Sequence, residues 1–114
     1  MKAKNANDFS RVPDPMIELV AGCFHALSDP TRLKILRALK NGRLTVHELV
    51  DLFTWTQPNI SRHLAILVQA GLVKKAKEGF FVYYSVANPK IFSLCDTVCT
   101  HVSGTLEGYS RPRS

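Results

Sequence analysis

Apolar residues recur every three to four positions along most of this chain, a spacing that predicts amphipathic helices with one buried face. The first such stripe follows two prolines, Pro13 and Pro15. Its members are Met16, Val20, Cys23, Phe24 and Leu27. We therefore expect the chain to fold into a mainly helical domain, and we expect the polar residues before Pro13 to form a flexible arm.

A second helix is predicted from Pro30 to about Lys40. Pro30 suits a first helical turn, and the Asp29 carboxylate can accept hydrogen bonds from the free amides there. Leu33, Leu36 and Leu39 are the residues expected to face inward. The basic side chains expected in solvent are Arg32, Lys34, Arg37 and Lys40. Asn41 and Gly42 are typical of the left-handed turn that ends a helix.

The next two predicted helices lie close together and form a helix-turn-helix pattern. Thr45 followed by Glu48 is a capping box, and it starts a short helix that ends near Phe53. After a brief connection, Thr56 can cap a helix that opens with Gln57 and Pro58. Its apolar residues, which anchor it to the core, are Ile60, Leu64, Leu67 and Val68. Its polar residues near the exposed N-terminal half are Gln57, Asn59, Ser61, Arg62 and His63.

The region after Gly71 changes to β-prone composition. Two runs, residues 72–76 and 80–86, are joined by Lys77, Glu78 and Gly79, which is a hairpin signal. A last helix is predicted after Asn88 and Pro89, and it should end before Gly104. The predicted order is α-α-α-α-β-β-α. Residues 1–12 are expected to be a flexible arm, 13–103 the folded domain and 104–114 a disordered tail.

The excess of positive charge on this chain favours binding to a polyanion. Lysine and arginine number 15 against 9 acidic residues, a net charge of +6. Nine of the basic residues lie between Arg32 and Lys77, where the only acids are Glu48 and Asp51. The excess therefore coincides with the helix-turn-helix pattern, as DNA binding requires. No apolar run is long enough to span a membrane and no signal peptide is evident, so we expect a cytoplasmic protein without a membrane partner.

Two segments resemble the ArsR (ArsR/SmtB) family of small winged-helix repressors. They are Ala26–Leu36, which reads Ala-Leu-Ser-Asp-Pro-Thr-Arg-Leu-Lys-Ile-Leu, and Gln57–Leu67 in the predicted recognition helix. The resemblance implies a winged helix-turn-helix repressor that binds double-stranded operator DNA with an inverted repeat. It also implies a homodimer formed through the first and last helices. No enzyme is expected, because neither a phosphate-binding glycine loop nor paired carboxylates are present.

The candidate DNA contacts divide by chemistry. Gln57, Asn59 and Arg62 can make paired hydrogen bonds to base edges, and Thr56 and Ser61 hydroxyls suit phosphates. His63 either contacts DNA or packs structurally, since it adjoins the core residue Leu64. On the predicted wing, Lys74, Lys75 and Lys77 can reach phosphates or a minor groove. Lysines there would alternatively keep an edge strand soluble.

Three cysteines are the candidate sensing residues. The family's arsenic site places two cysteines in the helix that starts at Thr45, where this chain has Val50 and Leu52. The resemblance places the family's zinc ligands at Asn88, Lys90, His101 and Gly104, of which only His101 keeps the family's ligand type. What remains is Cys95 and Cys99, one helical turn apart, with Cys23 on another helix.

Thiolates select thiophilic ions, so the predicted ligand set is Cys23, Cys95 and Cys99. Trivalent arsenic or antimony is the expected inducer, ahead of cadmium or lead, and no cofactor is required for DNA binding. Three alternatives stay open. The cysteines could form a redox or persulfide switch, they could simply pack as small apolar residues, or the regulator could lack a metal inducer.

Overall fold

A computed structural model describes residues 8–110. It contains five α-helices and three β-strands in the order α1 (Asp14–Leu27), α2 (Pro30–Leu39), β1 (Leu44–Thr45), α3 (Val46–Leu52), α4 (Gln57–Gln69), β2 (Val73–Glu78), β3 (Phe81–Val86) and α5 (Ile91–Ser110). A short 3-10 turn, Phe9–Arg11, precedes α1. The predicted mainly helical, winged helix-turn-helix fold is confirmed. Among the described residues, no helix is both long and apolar enough to cross a bilayer.

Local sequence sets the starts of the three helices that lie between α1 and the wing. The Asp29 side chain accepts a hydrogen bond from the Arg32 amide and caps α2. Thr45 and Glu48 form a complete capping box at α3. Thr56 Oγ1 accepts a hydrogen bond from the backbone N–H of Asn59 over 3.3 Å and caps α4. These caps satisfy amides that have no partner within their own helix, and all three are the caps expected from the sequence.

The core lies where α2, α3 and α4 meet. Its fully buried large side chains are Ile35, Leu36, Leu49, Ile60, Leu64 and Leu67. Leu72 and Val73, at the start of the wing, extend this cluster. Burial of leucine and isoleucine side chains stabilises a fold by about 1.5 to 3 kcal/mol each, so this cluster holds the helix-turn-helix rigid.

The sheet has three antiparallel strands in the order β1-β3-β2, one more than predicted. The extra strand is the two-residue β1, whose Leu44 and Thr45 pair with Tyr84 and Tyr83. The hairpin is also tighter than predicted, because β2 continues to Glu78. Only Gly79 and Phe80 form the turn. Gly79 has φ 64°, a conformation that suits glycine at the first position of such a turn.

Two predictions about α2 are wrong. Leu33 is exposed instead of buried, and Arg32 is buried instead of exposed, with 7% of its surface accessible. The buried stripe of α2 consists of Arg32, Ile35, Leu36 and Leu39. This is the i, i+3, i+4, i+7 pattern of one helix face, and it turns Leu33 away from the core.

The predicted ends of the domain also need correction. The last helix does not stop before Gly104 but continues through it to Ser110, so the predicted tail does not begin at residue 104. Of the predicted N-terminal arm, Phe9–Arg11 form the 3-10 turn, which Asp8 caps by accepting from the Ser10 amide. The rest of both predicted segments, residues 1–7 and 111–114, lies outside the described part of the chain.

Candidate nucleic-acid interface and thiol groups

The connection between α3 and α4 is held by an aromatic pair. The rings of Phe53 and Trp55 stack with their centroids 4.5 Å apart, and both side chains pack against the core. The Lys34 ammonium lies 5.7 Å from the Trp55 ring centroid, within the range of a cation–π interaction. The start of α4 is therefore fixed both by its Thr56 cap and by the packed turn before it.

The candidate base-reading side chains lie together at this start. Gln57 and Arg62 are exposed, while Asn59 and Ser61 are partly buried. An Arg62 Nη2–H donates to Asn59 Oδ1 over 2.5 Å. The exposed hydroxyl-bearing residue Thr56 precedes them as the cap. One short stretch of helix thus presents side-chain amides, a guanidinium and hydroxyl groups. Amides and guanidinium groups can form hydrogen bonds with base edges, and hydroxyl groups can form them with phosphates.

His63 does not belong to this exposed surface. Only 9% of the residue is accessible, and its Nδ1 lies 3.1 Å from the Arg32 guanidinium. Burial lowers the pKa of His63, the Asp29 carboxylate raises it in part, and the cations of Arg32 and Arg62 lower it further. The assignment of His63 as a DNA contact is therefore corrected in favour of the structural interpretation, because a buried ring cannot enter a groove.

The three wing lysines are all exposed on β2. Because side chains alternate along a strand, Lys75 and Lys77 share one face of the hairpin and Lys74 lies on the other. At the end of β2 that adjoins the turn, Arg43 donates to Glu78 over 2.7 Å, and its guanidinium carbon lies 3.9 Å from the Tyr83 ring centroid. This hydrogen bond lowers the pKa of the Glu78 carboxyl. Arg43 was not singled out from the sequence, since its partners are distant along the chain.

The tip of the wing carries an aromatic residue that the sequence interpretation treated only as part of a strand. Phe80 occupies the turn and is 99% exposed, and the neighbouring Phe81 is also exposed. A β-prone run containing two phenylalanines predicts burial of alternate residues. The position of the turn overrides that pattern, because the side chain at the tip has no neighbouring strand to pack against.

The structure brings together two of the three cysteines. Cys95 and Cys99 line a cavity of about 590 Å³ between α1, α2 and α5, together with Phe24, Leu27, Leu33 and Val98. Cys23 is not part of that lining. It packs against the core, and its thiol donates to the Ala70 carbonyl over 3.6 Å. Among the side chains that the structure describes, residues 8–106, no cluster of three or more His, Cys, Asp or Glu could hold a metal ion.

Burial raises the pKa of the Cys95 thiol, and the neighbouring Cys99 and Asp96 raise it further. The thiol therefore stays protonated at neutral pH. Since the thiolate is the nucleophile, this environment makes Cys95 slow to react with oxidants.

Comparison with known proteins agrees with the fold and the helix-turn-helix surface. Residues 29–75 match the bacterial regulatory protein, arsR family. The chain is 46% identical over 63 residues to the transcriptional repressor SdpR of Bacillus subtilis, which covers 55% of this chain and 70% of that protein. It is 38% identical over 85 residues to a probable mercury resistance operon repressor of Streptomyces lividans, which covers 75% and 68% of the two chains.

A solved structure with the same fold is the homodimeric winged helix-turn-helix DNA-binding domain of Mb0332 from Mycobacterium bovis, described as a possible ArsR-family transcriptional regulator. The TM-score is 0.74 and the sequence identity 27%, over 84% of this chain and 89% of that one. The fold and surface define a DNA-binding transcription regulator with a winged helix-turn-helix. The chain belongs to the arsR family of bacterial regulatory proteins, and similar proteins include transcriptional repressors such as SdpR and SmtB.

Proposed function

We propose that this protein acts as a homodimer that binds an inverted repeat in double-stranded DNA and is released by a thiophilic inducer. The observation that carries the DNA-binding part is the group of Gln57, Asn59 and Arg62 at the capped start of α4, where Gln57 and Arg62 are exposed and Asn59 is partly buried. Gln57, Asn59 and Arg62 would contact bases, and Thr56 and Ser61 would contact phosphates. The wing lysines Lys74, Lys75 and Lys77 would neutralise further phosphates.

Dimerisation through α1 and α5 is supported by their exposed apolar side chains. On α1 these include Leu19 and Phe24, and on α5 they include Val98, Val102 and Leu106. The cavity between the two helices is bounded by Phe24 and Val98. A second copy of the chain would cover these surfaces and bring two recognition helices to two half-sites about one helical turn apart. The Mycobacterium bovis neighbour is described as homodimeric, which supports a homodimer here.

For the inducer, we propose trivalent arsenic or antimony bound by Cys95 and Cys99, with Cys23 as the third thiol. A single chain supplies only the first two from one cavity, so a three-sulfur site would have to include Cys23 from the second protomer or after movement of α1. The similarity to a probable mercury resistance operon repressor supports a thiophilic ligand, and soft sulfur donors select such ions.

The protonated state of Cys95 favours a metalloid hydroxide over cadmium or lead. When arsenous acid condenses with thiols, each hydroxide leaves as water with one thiol proton, so a protonated thiol reacts without net proton release. A divalent cation must instead displace the proton, which weakens its binding where the thiol pKa is raised. The same raised pKa disfavours the alternative of a redox or persulfide switch.

The experiment begins with selection of binding sites from random-sequence DNA by the purified full chain. The enriched duplex is then titrated with protein, and the complex is challenged separately with arsenite, antimonite, cadmium, lead, zinc and a persulfide donor. Release by arsenite and antimonite at the lowest concentrations supports the proposed inducer. Release only by the persulfide donor supports a sulfur switch, and a complex that none of them dissociates contradicts thiol sensing altogether.

A further inference from the structure

A buried polar cluster joins the end of α1 to the recognition helix. Arg32, in the first turn of α2, donates from Nε to the Ala26 carbonyl over 2.6 Å and from Nη2 to the His25 carbonyl over 3.2 Å. Its Nη1 lies 3.1 Å from His63 Nδ1 on α4. One guanidinium therefore holds the last carbonyls of α1 and a ring of α4 at the same time.

These contacts determine the protonation state of His63. Arginine is always charged and can only donate, so the Nδ1 atom that faces it must be the acceptor. The ring is then neutral and carries its proton on Nε2. Because Arg32 and His63 are both almost fully buried, the hydrogen bond between them is shielded from water and is strengthened by the charge on Arg32.

From this geometry we infer that Arg32 and His63 are positioning residues for DNA recognition: the neutral His63 ring, held by Arg32, fixes the orientation of α4, and protonation of His63 weakens operator binding. The inference rests on the proposed DNA-binding function of α4. It extends that function, since neither residue is exposed enough to contact DNA. Arg32 also links α4 to α1, the helix proposed to lie at the dimer interface.

The charged groups around His63 indicate how protonation of its ring would change the contacts of α4. The second helix presents Arg32 and, at its cap, Asp29, whose Oδ2 lies 3.9 Å from His63 Nδ1. Arg62 is the neighbouring cation on α4 itself. A proton on Nδ1 would face the Arg32 donor, so the hydrogen bond between them would be lost. The charged ring would turn toward Asp29, which is the nearby acceptor, and α4 would shift with it.

The sign of this effect separates it from ordinary electrostatics. Acidification adds positive charge to exposed histidines, and added positive charge strengthens binding to DNA. His63 is expected to act in the opposite direction. A fall in operator affinity on acidification, with the salt concentration held constant, therefore reports on the buried ring rather than on the net charge of the surface.

The test measures affinity for the selected operator between about pH 7.5 and about pH 5.5, on either side of the usual histidine pKa. Three proteins are compared: the wild type, His63→Gln, and the control His47→Gln, which removes an exposed histidine of α3. Wild type and His47→Gln should lose affinity on acidification, by at most about tenfold, because the pKa of His63 lies below its ordinary value and pH 5.5 therefore protonates only part of the protein. His63→Gln should keep most of the neutral-pH affinity, because its amide oxygen can accept from Arg32, and should lose the acid-induced fall.

Arg32→Lys provides the second arm. Lysine keeps the charge but lacks the planar fork that reaches three acceptors, so operator affinity should fall about tenfold at neutral pH while circular dichroism still reports a folded protein. An acid-induced fall of the same size in His63→Gln as in the wild type would overturn the inference. So would neutral-pH affinity in Arg32→Lys equal to that of the wild type.

The tautomer can be checked without DNA, which separates this inference from the proposed function. Long-range ¹H–¹⁵N spectra of the free protein should show the His63 proton on Nε2 at neutral pH. A proton on Nδ1 would overturn the inference whether or not the protein binds DNA. Absence of DNA binding by the wild type, with the proton found on Nε2, would contradict the DNA-binding proposal and with it the positioning role that depends on it.

Discussion

The Arg62 guanidinium donates to the Asn59 side-chain oxygen over 2.5 Å, one turn earlier on the recognition helix. The pair holds a flexible arginine over the exposed face of α4 before DNA arrives. It also leaves the Asn59 NH₂ group and the remaining Arg62 N–H groups free to donate outward. Less rotational freedom is then lost on binding, which favours affinity for a correctly spaced base edge.

Replacing Arg62 tests whether it reads a base or neutralises a phosphate. Arg62→Ala should weaken binding to the selected operator by about 1 to 3 kcal/mol and should relax the sequence preference at one position of each half-site. Arg62→Lys is the matched control because it keeps the charge but not the planar fork. If the lysine variant retains both the affinity and the sequence preference of the wild type, Arg62 acts as a point charge and not as a base reader.

Neutralising the wing lysines should affect all DNA sequences alike. Lys75→Gln and Lys77→Gln should each reduce the slope of log affinity against log salt by about one unit. Lys74→Gln should reduce the salt slope by less if only the face that carries Lys75 and Lys77 contacts the DNA phosphates. Lys90→Gln, an exposed lysine outside the proposed DNA surface, is the control. A changed sequence preference with an unchanged salt slope would contradict the assignment of these lysines to phosphates.

Each cysteine should be dispensable for DNA binding but not for release by arsenite. Cys23→Ser, Cys95→Ser and Cys99→Ser should all bind the operator as the wild type does and should each require about tenfold or more arsenite for dissociation, because two sulfur ligands hold the ion less firmly than three. Quantitative release titrations measure this. If Cys23→Ser alone is released by arsenite as the wild type is, the site consists of Cys95 and Cys99 only. If all three variants are released as the wild type is, the cysteines do not form the arsenite site.

Stability should fall when the pH drops below about 6.5. The pKa of His63 in the folded protein lies below its ordinary value of 6.5, so on acidification the unfolded chain takes up this proton first. The contribution of His63 to stability is therefore complete above pH 6.5 and declines through the window between the ordinary and the lowered pKa. Urea unfolding at a series of pH values should show this decline in the wild type and a shallower one in His63→Gln. Equal slopes in both proteins would contradict it.

The sequence was sufficient to predict those structural features that depend on residues close together along the chain. The caps of α2, α3 and α4 were predictable because cap and amide lie within three positions of each other, as in Thr45 with Glu48. The exposed start of α4 followed in the same way from its periodic apolar residues. These local signals, together with two segments typical of the arsR family, were sufficient for the fold class and for the position of the recognition helix.

The sequence was not sufficient to predict those structural features that depend on contacts between residues far apart along the chain. Arg32 is a basic residue in a helix, and only the approach of His63 and the last carbonyls of α1 makes its burial favourable. The two-residue β1 has too short a pattern to be recognised without its pairing to β3. Gly104 suggested an end to α5, but glycine costs a helix only about 1 kcal/mol relative to alanine, and the surrounding residues continue it.

The most direct test of the account is the DNA sequence that the purified wild-type protein selects from a random pool. We expect enrichment of an imperfect inverted repeat whose half-site centres lie about one helical turn apart, bound by two copies of the chain. A relaxed preference at one position of each half-site in the pool selected by Arg62→Ala would tie the enrichment to the recognition helix. A selected pool indistinguishable from the input, or enrichment of a single unrepeated site bound by one copy, would contradict the proposal that this protein is a dimeric operator-binding repressor.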